Sequence, residues 1–188
     1  MVSNLWSGCF WSHGKQHIIA SGIDPRGPFN AATCRLSKVE TWITSTGMGG
    51  DGWGRVKPFL FVRLTQSDGL SGWGEAVVLP CRETAVAEMI HALAAALSDL
   101  EDITPWTMRD HVARIADKHR GLDFSAATSA LEMALWDITG KREDRPLYEM
   151  LGGARRKDIP VYANIWSETQ WHASALARRA PDLKAQGY

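Results

Sequence analysis

Two pairs of side chains in this 188-residue sequence have the spacing that metal-binding or catalytic sites use. His13 and His17 stand four residues apart, so both imidazoles would share one face of a helix and could hold a metal ion. Asp137 and Lys141 have the same spacing and look like a catalytic pair. The histidines lack helix signals and a third ligand, and Asp137 follows a tryptophan on a predicted helix. We therefore interpret the histidines as solvated, and the second pair as a structural hydrogen bond or ion pair.

Composition excludes several classes of protein. Lys plus Arg and Asp plus Glu both number 21, so the net charge is zero and nothing favours nucleic-acid binding. The longest apolar stretch, residues 85–97, contains Glu88 and His91 and falls short of the ~20 residues of a membrane span. Three cysteines are too few and too scattered for a disulfide framework or a zinc site. We expect a globular protein of the reducing cytoplasm.

The N-terminal part of the sequence predicts an extension followed by a small sheet. In residues 1–37 the apolar residues keep neither the two-residue spacing of a strand nor the 3.6-residue spacing of a helix, so we expect this extension to be poorly ordered. Aromatic and β-branched residues predict strands over 38–44, 59–65 and 70–78. The turn Gln66–Gly69 joins the last two strands, because Asp-Gly supplies the positive φ that a hairpin needs. The result is a three-stranded antiparallel meander whose third strand contains Gly72 and Gly74, which permit a bulge or a close backbone approach.

The middle of the sequence has the 3.6-residue period of helices. Amphipathic patterns predict helices over residues 84–100, 105–119, 125–139 and 146–151. Thr104 followed by Pro105 predicts the N-terminus of the second helix, and Gly140 predicts the end of the third. The tryptophans that fall inside periodic segments are interpreted as core residues: Trp42, Trp73, Trp136 and Trp166. The fold class is therefore α+β, a meander with a helical bundle.

After residue 153 the pattern changes to that of a parallel α/β fold. Ile159–Ile165 reads as a strand buried on both faces. Glu168–Gln186 follows as an amphipathic helix with Trp171, Leu176 and Leu183 on one face. We expect one β/α unit here.

Four motifs occur in an order that a known family shares. They are Asp68–Glu75 (DGLSGWGE), Ala134–Lys141 (ALWDITGK), Pro146–Gly153 (PLYEMLGG) and Val161–Asn164 (VYAN). Together they resemble the enolase superfamily, in its mandelate racemase and muconate-lactonizing branch. The resemblance covers about residues 38–188.

The resemblance implies a fold and a chemistry. Such enzymes join an α+β capping domain, here 38–152, to a modified (β/α) barrel, whose first β/α unit would be 153–188. They abstract a proton α to a carboxylate and stabilise the enediolate on Mg²⁺. In the family the base lysine ends barrel strand 2 and the metal ligands end strands 3, 4 and 5, so no catalytic residue or metal ligand is carried over to this sequence. A complete barrel needs ~250 residues. The expectation is a truncated product or fragment that is inactive and poorly soluble alone.

The resemblance also suggests residues that contact substrate. In the family the loops after the first and third strands fold over the barrel mouth and select the substrate. Trp53, Arg55 and Arg82 lie in these loops, a tryptophan lid and two guanidinium groups suited to carboxylate or hydroxyl acceptors. Asn164 ends the first barrel strand, where barrel active sites are built. The alternatives remain open: solvated arginines, a hinge-packing tryptophan and an amide that caps a helix.

Three functions follow from these patterns. The first is the N-terminal part of a Mg²⁺-dependent acid-sugar dehydratase, or of a related racemase or epimerase, that acts on a small sugar acid or other carboxylate. Such an enzyme is expected to be a homo-oligomer when full length and to have no nucleic-acid or membrane partner. The second is a non-catalytic remnant that serves as an oligomerisation or binding module. The third is a small standalone binding domain in which the segment after residue 153 packs differently.

Overall fold

The computed structural model describes residues 34–45, 58–116, 121–163 and 173–188. Its strands are β1 (Leu36–Ser45), β2 (Pro58–Gln66) and β3 (Ser71–Ala76). Its helices are α1 (Glu83–Leu97), α2 (Pro105–Ile115), α3 (Leu122–Arg142), α4 (Leu147–Met150) and α5 (Ala173–Ala185). Over the described residues, no helix is both long enough and apolar enough to span a membrane.

The three strands form the predicted antiparallel meander in the order β1-β2-β3. Side chains of β2 alternate strictly between buried and half-buried, with Leu60, Val62 and Leu64 fully buried against the helices. The hairpin between β2 and β3 turns at Gly69, whose φ is 87°, as the Asp-Gly pair predicts.

Helix α3 packs directly on β3 through backbone contacts. A Cβ atom at Gly72 would collide with the carbonyl oxygen of Ala134, and one at Gly74 would collide with that of Ala130. The predicted close approach at these two glycines is therefore confirmed. The small alanines of α3 let the helix backbone lie against the strand, and α1 covers β1 and β2 beside it.

Helix ends differ in part from the predictions. Thr104 caps α2 as predicted, because its hydroxyl accepts a hydrogen bond from the Thr107 backbone N–H while the Thr107 hydroxyl accepts one from the Thr104 backbone N–H. Helix α2 ends at Ile115, earlier than predicted, and residues 117–120 lie outside the described residues.

The predicted end of the third helix at Gly140 is wrong. Helix α3 continues through Gly140 to Arg142, and Asp144 makes the left-handed turn with a φ of 49°. Arg145 then donates its backbone N–H to the Gly140 carbonyl at 3.0 Å, and a Cβ at Gly140 would lie 3.0 Å from the Arg145 carbonyl oxygen. Gly140 makes room for the returning chain instead of ending the helix.

The described fold begins before the predicted boundary at Lys38. Cys34 is buried and its carbonyl accepts a hydrogen bond from the Ile103 backbone N–H at 3.1 Å. Ser37 donates its hydroxyl to the Thr65 carbonyl at 2.9 Å. Residues 34–37 therefore belong to the fold and not to the expected extension, whose other residues, 1–33, lie outside the described residues.

Two of the tryptophans predicted for the core are on the surface. Trp42 and Trp73 are 39% and 46% exposed, because the register places them opposite Phe61 and Arg63, on the sheet face that points away from the helices. Trp136 is half-buried and meets Trp106 edge-on at a centroid distance of 4.9 Å. Trp166 lies outside the described residues.

The predicted strand after residue 153 is not formed over residues 159–163. Ile159, Val161 and Tyr162 are largely exposed, and these residues have no strand pairing. A strand needs a neighbour to satisfy its backbone groups, and the described residues offer none at this position. The predicted helix is present as α5, and Gly187 follows it with a φ of 97°; the residues predicted to begin the helix, 168–172, lie outside the described residues.

Candidate functional site

Of the four residues proposed for substrate contact, Arg82 lies within the described residues. Trp53, Arg55 and Asn164 lie outside them, so the structure does not bring the four together. Arg82 follows β3 and immediately precedes α1, at the start of the helical layer. Half of its side-chain surface is exposed.

The guanidinium group of Arg82 pairs with Asp123 in the first turn of α3. Arg82 Nη1 lies 3.2 Å from Asp123 Oδ2 and 3.3 Å from Oδ1. Within the described residues, the other nitrogens of this guanidinium make no hydrogen bond. Arg82 can therefore still donate to a carboxylate or hydroxyl group.

The backbone around Arg82 is fixed by its own hydrogen bonds. Cys81 adopts a φ of 68° and donates its backbone N–H to Glu83 Oε1 at 3.1 Å. Arg82 donates its backbone N–H to the Leu79 carbonyl at 3.2 Å. The loop between β3 and α1 is thus a preformed turn that holds the base of the Arg82 side chain.

Asp137 and Lys141 form the structural ion pair that the sequence predicts. Lys141 Nζ lies 2.8 Å from Asp137 Oδ2 and donates to the Ser71 carbonyl at 2.9 Å. Asp137 Oδ2 also accepts the Trp73 backbone N–H at 2.9 Å. Both side chains therefore tie α3 to β3.

A polar cluster that the sequence analysis missed joins the end of α3 to the hairpin. Arg142 donates to Gln66 Oε1 at 2.7 Å and lies 2.8 Å from Asp68 Oδ2. A hydrogen bond from the Leu70 backbone N–H and the contact with Arg142 lower the pKa of Asp68 below its usual value. Burial, followed by the hydrogen bond to Asp68, raises the pKa of the Cys34 thiol. The thiol therefore stays protonated, and the cluster is structural.

A small cavity lies beside this cluster. Its volume is about 30 Å³, and its lining includes Cys34, Asp102, Thr139 and Arg142. Burial raises the pKa of Asp102. The cavity has room for a water molecule and is far too small for a sugar acid. It is not a substrate site.

The outer face of the sheet carries an aromatic and charged array that the sequence analysis also missed. The Arg63 guanidinium lies 5.4 Å from the Trp42 ring centroid and 5.5 Å from that of Trp73, within the range of cation–π contacts. Glu40 Oε2 lies 2.6 Å from Arg63 Nη2 and holds the guanidinium in place. The register puts these residues on adjacent strands, and no short-range sequence signal gives that register.

The described residues do not fit a magnesium site. Among them, no group of three or more histidine, cysteine, aspartate or glutamate side chains could hold a metal ion.

Comparison with known proteins finds a family whose members resemble this chain. Residues 52–152 match the family described as mandelate racemase/muconate lactonizing enzyme, N-terminal domain. The match covers β2, β3 and helices α1 to α4, and β1 lies before it. The chain is also similar to a solved enolase from environmental sequencing of the Sargasso Sea, with a TM-score of 0.74 and 34% identity, over 82% of this chain and 41% of that one.

Two curated relatives carry names that refer to sugar acids. A D-gluconate dehydratase from Thermoproteus tenax is 34% identical in a 140-residue alignment that covers 69% of this chain and 26% of that protein. A D-galactonate dehydratase family member from Catenulispora acidiphila is 34% identical in a 165-residue alignment that covers 82% of this chain and 34% of that protein. The chain therefore spans about a quarter to a third of the length of these relatives.

Proposed function

The chain belongs to the mandelate racemase/muconate lactonizing enzyme family, and we propose that it supplies the capping domain of an acid-sugar dehydratase. The observation that carries the proposal is the 34% identity to the D-gluconate dehydratase over 140 aligned residues. Dehydration is preferred to racemisation or epimerisation because both named relatives are dehydratases or members of a dehydratase family. We propose the cytoplasm as its compartment.

The chemistry proposed for the complete enzyme is proton abstraction α to the carboxylate of a sugar acid. Mg²⁺ would stabilise the negative charge that develops on the carboxylate oxygens. We propose that the catalytic base and the metal ligands come from residues outside this sequence. The contribution of this chain is to close the active site and to select the substrate.

Substrate selection is proposed for the loops that follow β1 and β3. Arg82 carries this part of the proposal within the described residues, because its guanidinium has donors left for a carboxylate or hydroxyl group. Trp53, Arg55 and Asn164 remain proposed contacts on the resemblance alone. Each group would bind or orient the sugar acid, and none would take the proton.

The alternative function is a non-catalytic assembly module. The observation that favours it is the half-exposed pair Trp42 and Trp73, whose rings lie 5.0 Å apart on the outer sheet face. A self-associating module would sediment as a dimer or larger species, and replacing both tryptophans by serine would return it to the monomer.

A reconstitution assay tests the proposed function. The 188-residue chain is assayed on D-gluconate and D-galactonate with Mg²⁺, alone and mixed with the unmatched portion of the T. tenax D-gluconate dehydratase. We expect no turnover by either part alone, and turnover by the mixture that chelation abolishes. Turnover by the chain alone, or a bound complex without turnover, would contradict the proposal.

A further inference from the structure

We propose that Asp123 is a positioning residue, which orients the guanidinium of Arg82 toward the carboxylate or hydroxyl groups of a sugar acid. This inference rests on the proposed function, because Arg82 meets a sugar acid only when the chain caps an active site. Arg82 would be the group that touches substrate, and Asp123 would act through it.

The ion pair with Asp123 uses only one nitrogen of the Arg82 guanidinium. Both oxygens of Asp123 contact the same nitrogen, Nη1, at 3.3 and 3.2 Å. Guanidinium has five N–H donors in a planar fork, so this pairing leaves the edge formed by Nε and Nη2. That edge can make the two parallel hydrogen bonds by which arginine binds a carboxylate. Within the described part of the chain, nothing else accepts from that edge.

The backbones of Arg82 and Asp123 are both anchored. The turn held by Cys81 and Glu83 fixes the Arg82 backbone. Asp123 lies in the first turn of α3, and the next turn places Ala126 and Ala127 in the buried core. An exposed ion pair contributes little to stability, about 0–1 kcal/mol, because two flexible side chains must be held in one geometry. Here both backbones are already held, so the pair can set the direction of the guanidinium.

The test observes the Arg82 side chain itself. In the ¹⁵N-labelled full chain, the heteronuclear NOE of Arg82 Nε reports how rigidly the guanidinium is held. We expect Asp123→Asn to reduce this NOE to about half or less. Asp123→Ser, which keeps a polar residue in the first helical turn, should cause the same loss, whereas Asp123→Glu should retain part of the signal.

A matched pair elsewhere provides the control. Arg35 and Glu101 form another exposed contact of 3.0 Å, so Glu101→Gln should change the Arg35 signal and leave Arg82 unchanged. A purely structural role of Asp123 would alter the backbone of α3 without moving Arg82 Nε. The proposal is overturned if the Arg82 NOE is the same in the parent chain and in both the Asn and Ser variants. Since no substrate is used, this result is independent of whether the reconstitution assay succeeds.

Discussion

At the residue scale, Gly72 and Gly74 allow α3 to lie against β3. Cβ atoms at these positions would overlap backbone carbonyl oxygens of α3, which cannot move like a flexible side chain. The sequence predicted a close approach from the two glycines but not its partners, because the alanines of α3 are about 60 residues away along the chain. Only the tertiary packing identifies Ala130 and Ala134 as the contacts.

Gly74→Ala should destabilise the fold strongly. The added methyl group meets the Ala130 carbonyl, so strand and helix must separate, and we expect the free energy of unfolding to fall by about 2 kcal/mol or more. Urea unfolding monitored by circular dichroism measures the change. Gly121→Ala is the control, because a Cβ there meets nothing within 4 Å and the change should cost only about 0.5–1 kcal/mol, the loss of a better N-cap residue. Equal effects of the two substitutions would contradict the packing account.

The pH dependence of stability should include a contribution from Asp68. Its pKa in the folded state lies below the unfolded value, because the Leu70 N–H and Arg142 stabilise the carboxylate. The folded state therefore gains stability above the unfolded pKa of about 3.9, and this gain is lost as the pH falls through the folded pKa. Asp68→Asn should lower stability at neutral pH and give a shallower decline in acid. Urea unfolding of the parent and the variant at several pH values measures both the free energy of unfolding at neutral pH and its decline in acid.

A control separates this effect from general acid destabilisation. Asp99 is an exposed aspartate after α1. The free energy of unfolding of Asp99→Asn should decline in acid as steeply as that of the parent chain. An Asp68→Asn variant that declines in acid as steeply as the parent would mean that the Arg142 cluster does not act through Asp68.

At the element scale, short-range sequence patterns predict the three strands and the N-terminus of α2 correctly. Alternation in β2 and the Asp-Gly turn are short-range features, and each favours the same local structure as the final fold. The end of α3 was predicted wrongly because glycine is a common helix stop, whereas here Asp144 takes the left-handed conformation. The surface position of Trp42 and Trp73 was missed because strand register decides the face of every side chain.

The capping box at the start of α2 predicts a measurable stability effect. Thr104→Ala removes the hydroxyl that accepts the Thr107 N–H at 3.1 Å, so the unfolding free energy should fall by about 1 kcal/mol. Thr128→Ala is the matched control, because that hydroxyl donates to the Phe124 and Ser125 carbonyls within its own helix, α3. Alanine favours helix at this position, so stability should stay equal or rise slightly. Equal losses in the two variants would argue against the cap.

At the scale of the whole molecule, the sheet and helices α1 to α4 form one packed unit, while the described side chains after residue 153 are mostly exposed. The apolar pattern of residues 159–165 predicted a strand, yet residues 159–163 have no described strand to pair with. An apolar pattern indicates which residues favour a strand, but the strand forms only where a neighbouring strand accepts its backbone hydrogen bonds. Three of the four proposed substrate contacts lie outside the described residues, so Arg82 alone connects the prediction to geometry.

The most direct test of the capping role is a covalent chimera. The segment of this chain that matches the T. tenax D-gluconate dehydratase over 140 residues replaces the corresponding part of that enzyme, and kcat/KM for D-gluconate is measured with Mg²⁺. We expect turnover well above that of the unmatched portion alone, and a raised KM when Arg82→Ala is introduced. A folded chimera that turns over D-gluconate no faster than the unmatched portion would contradict the capping role.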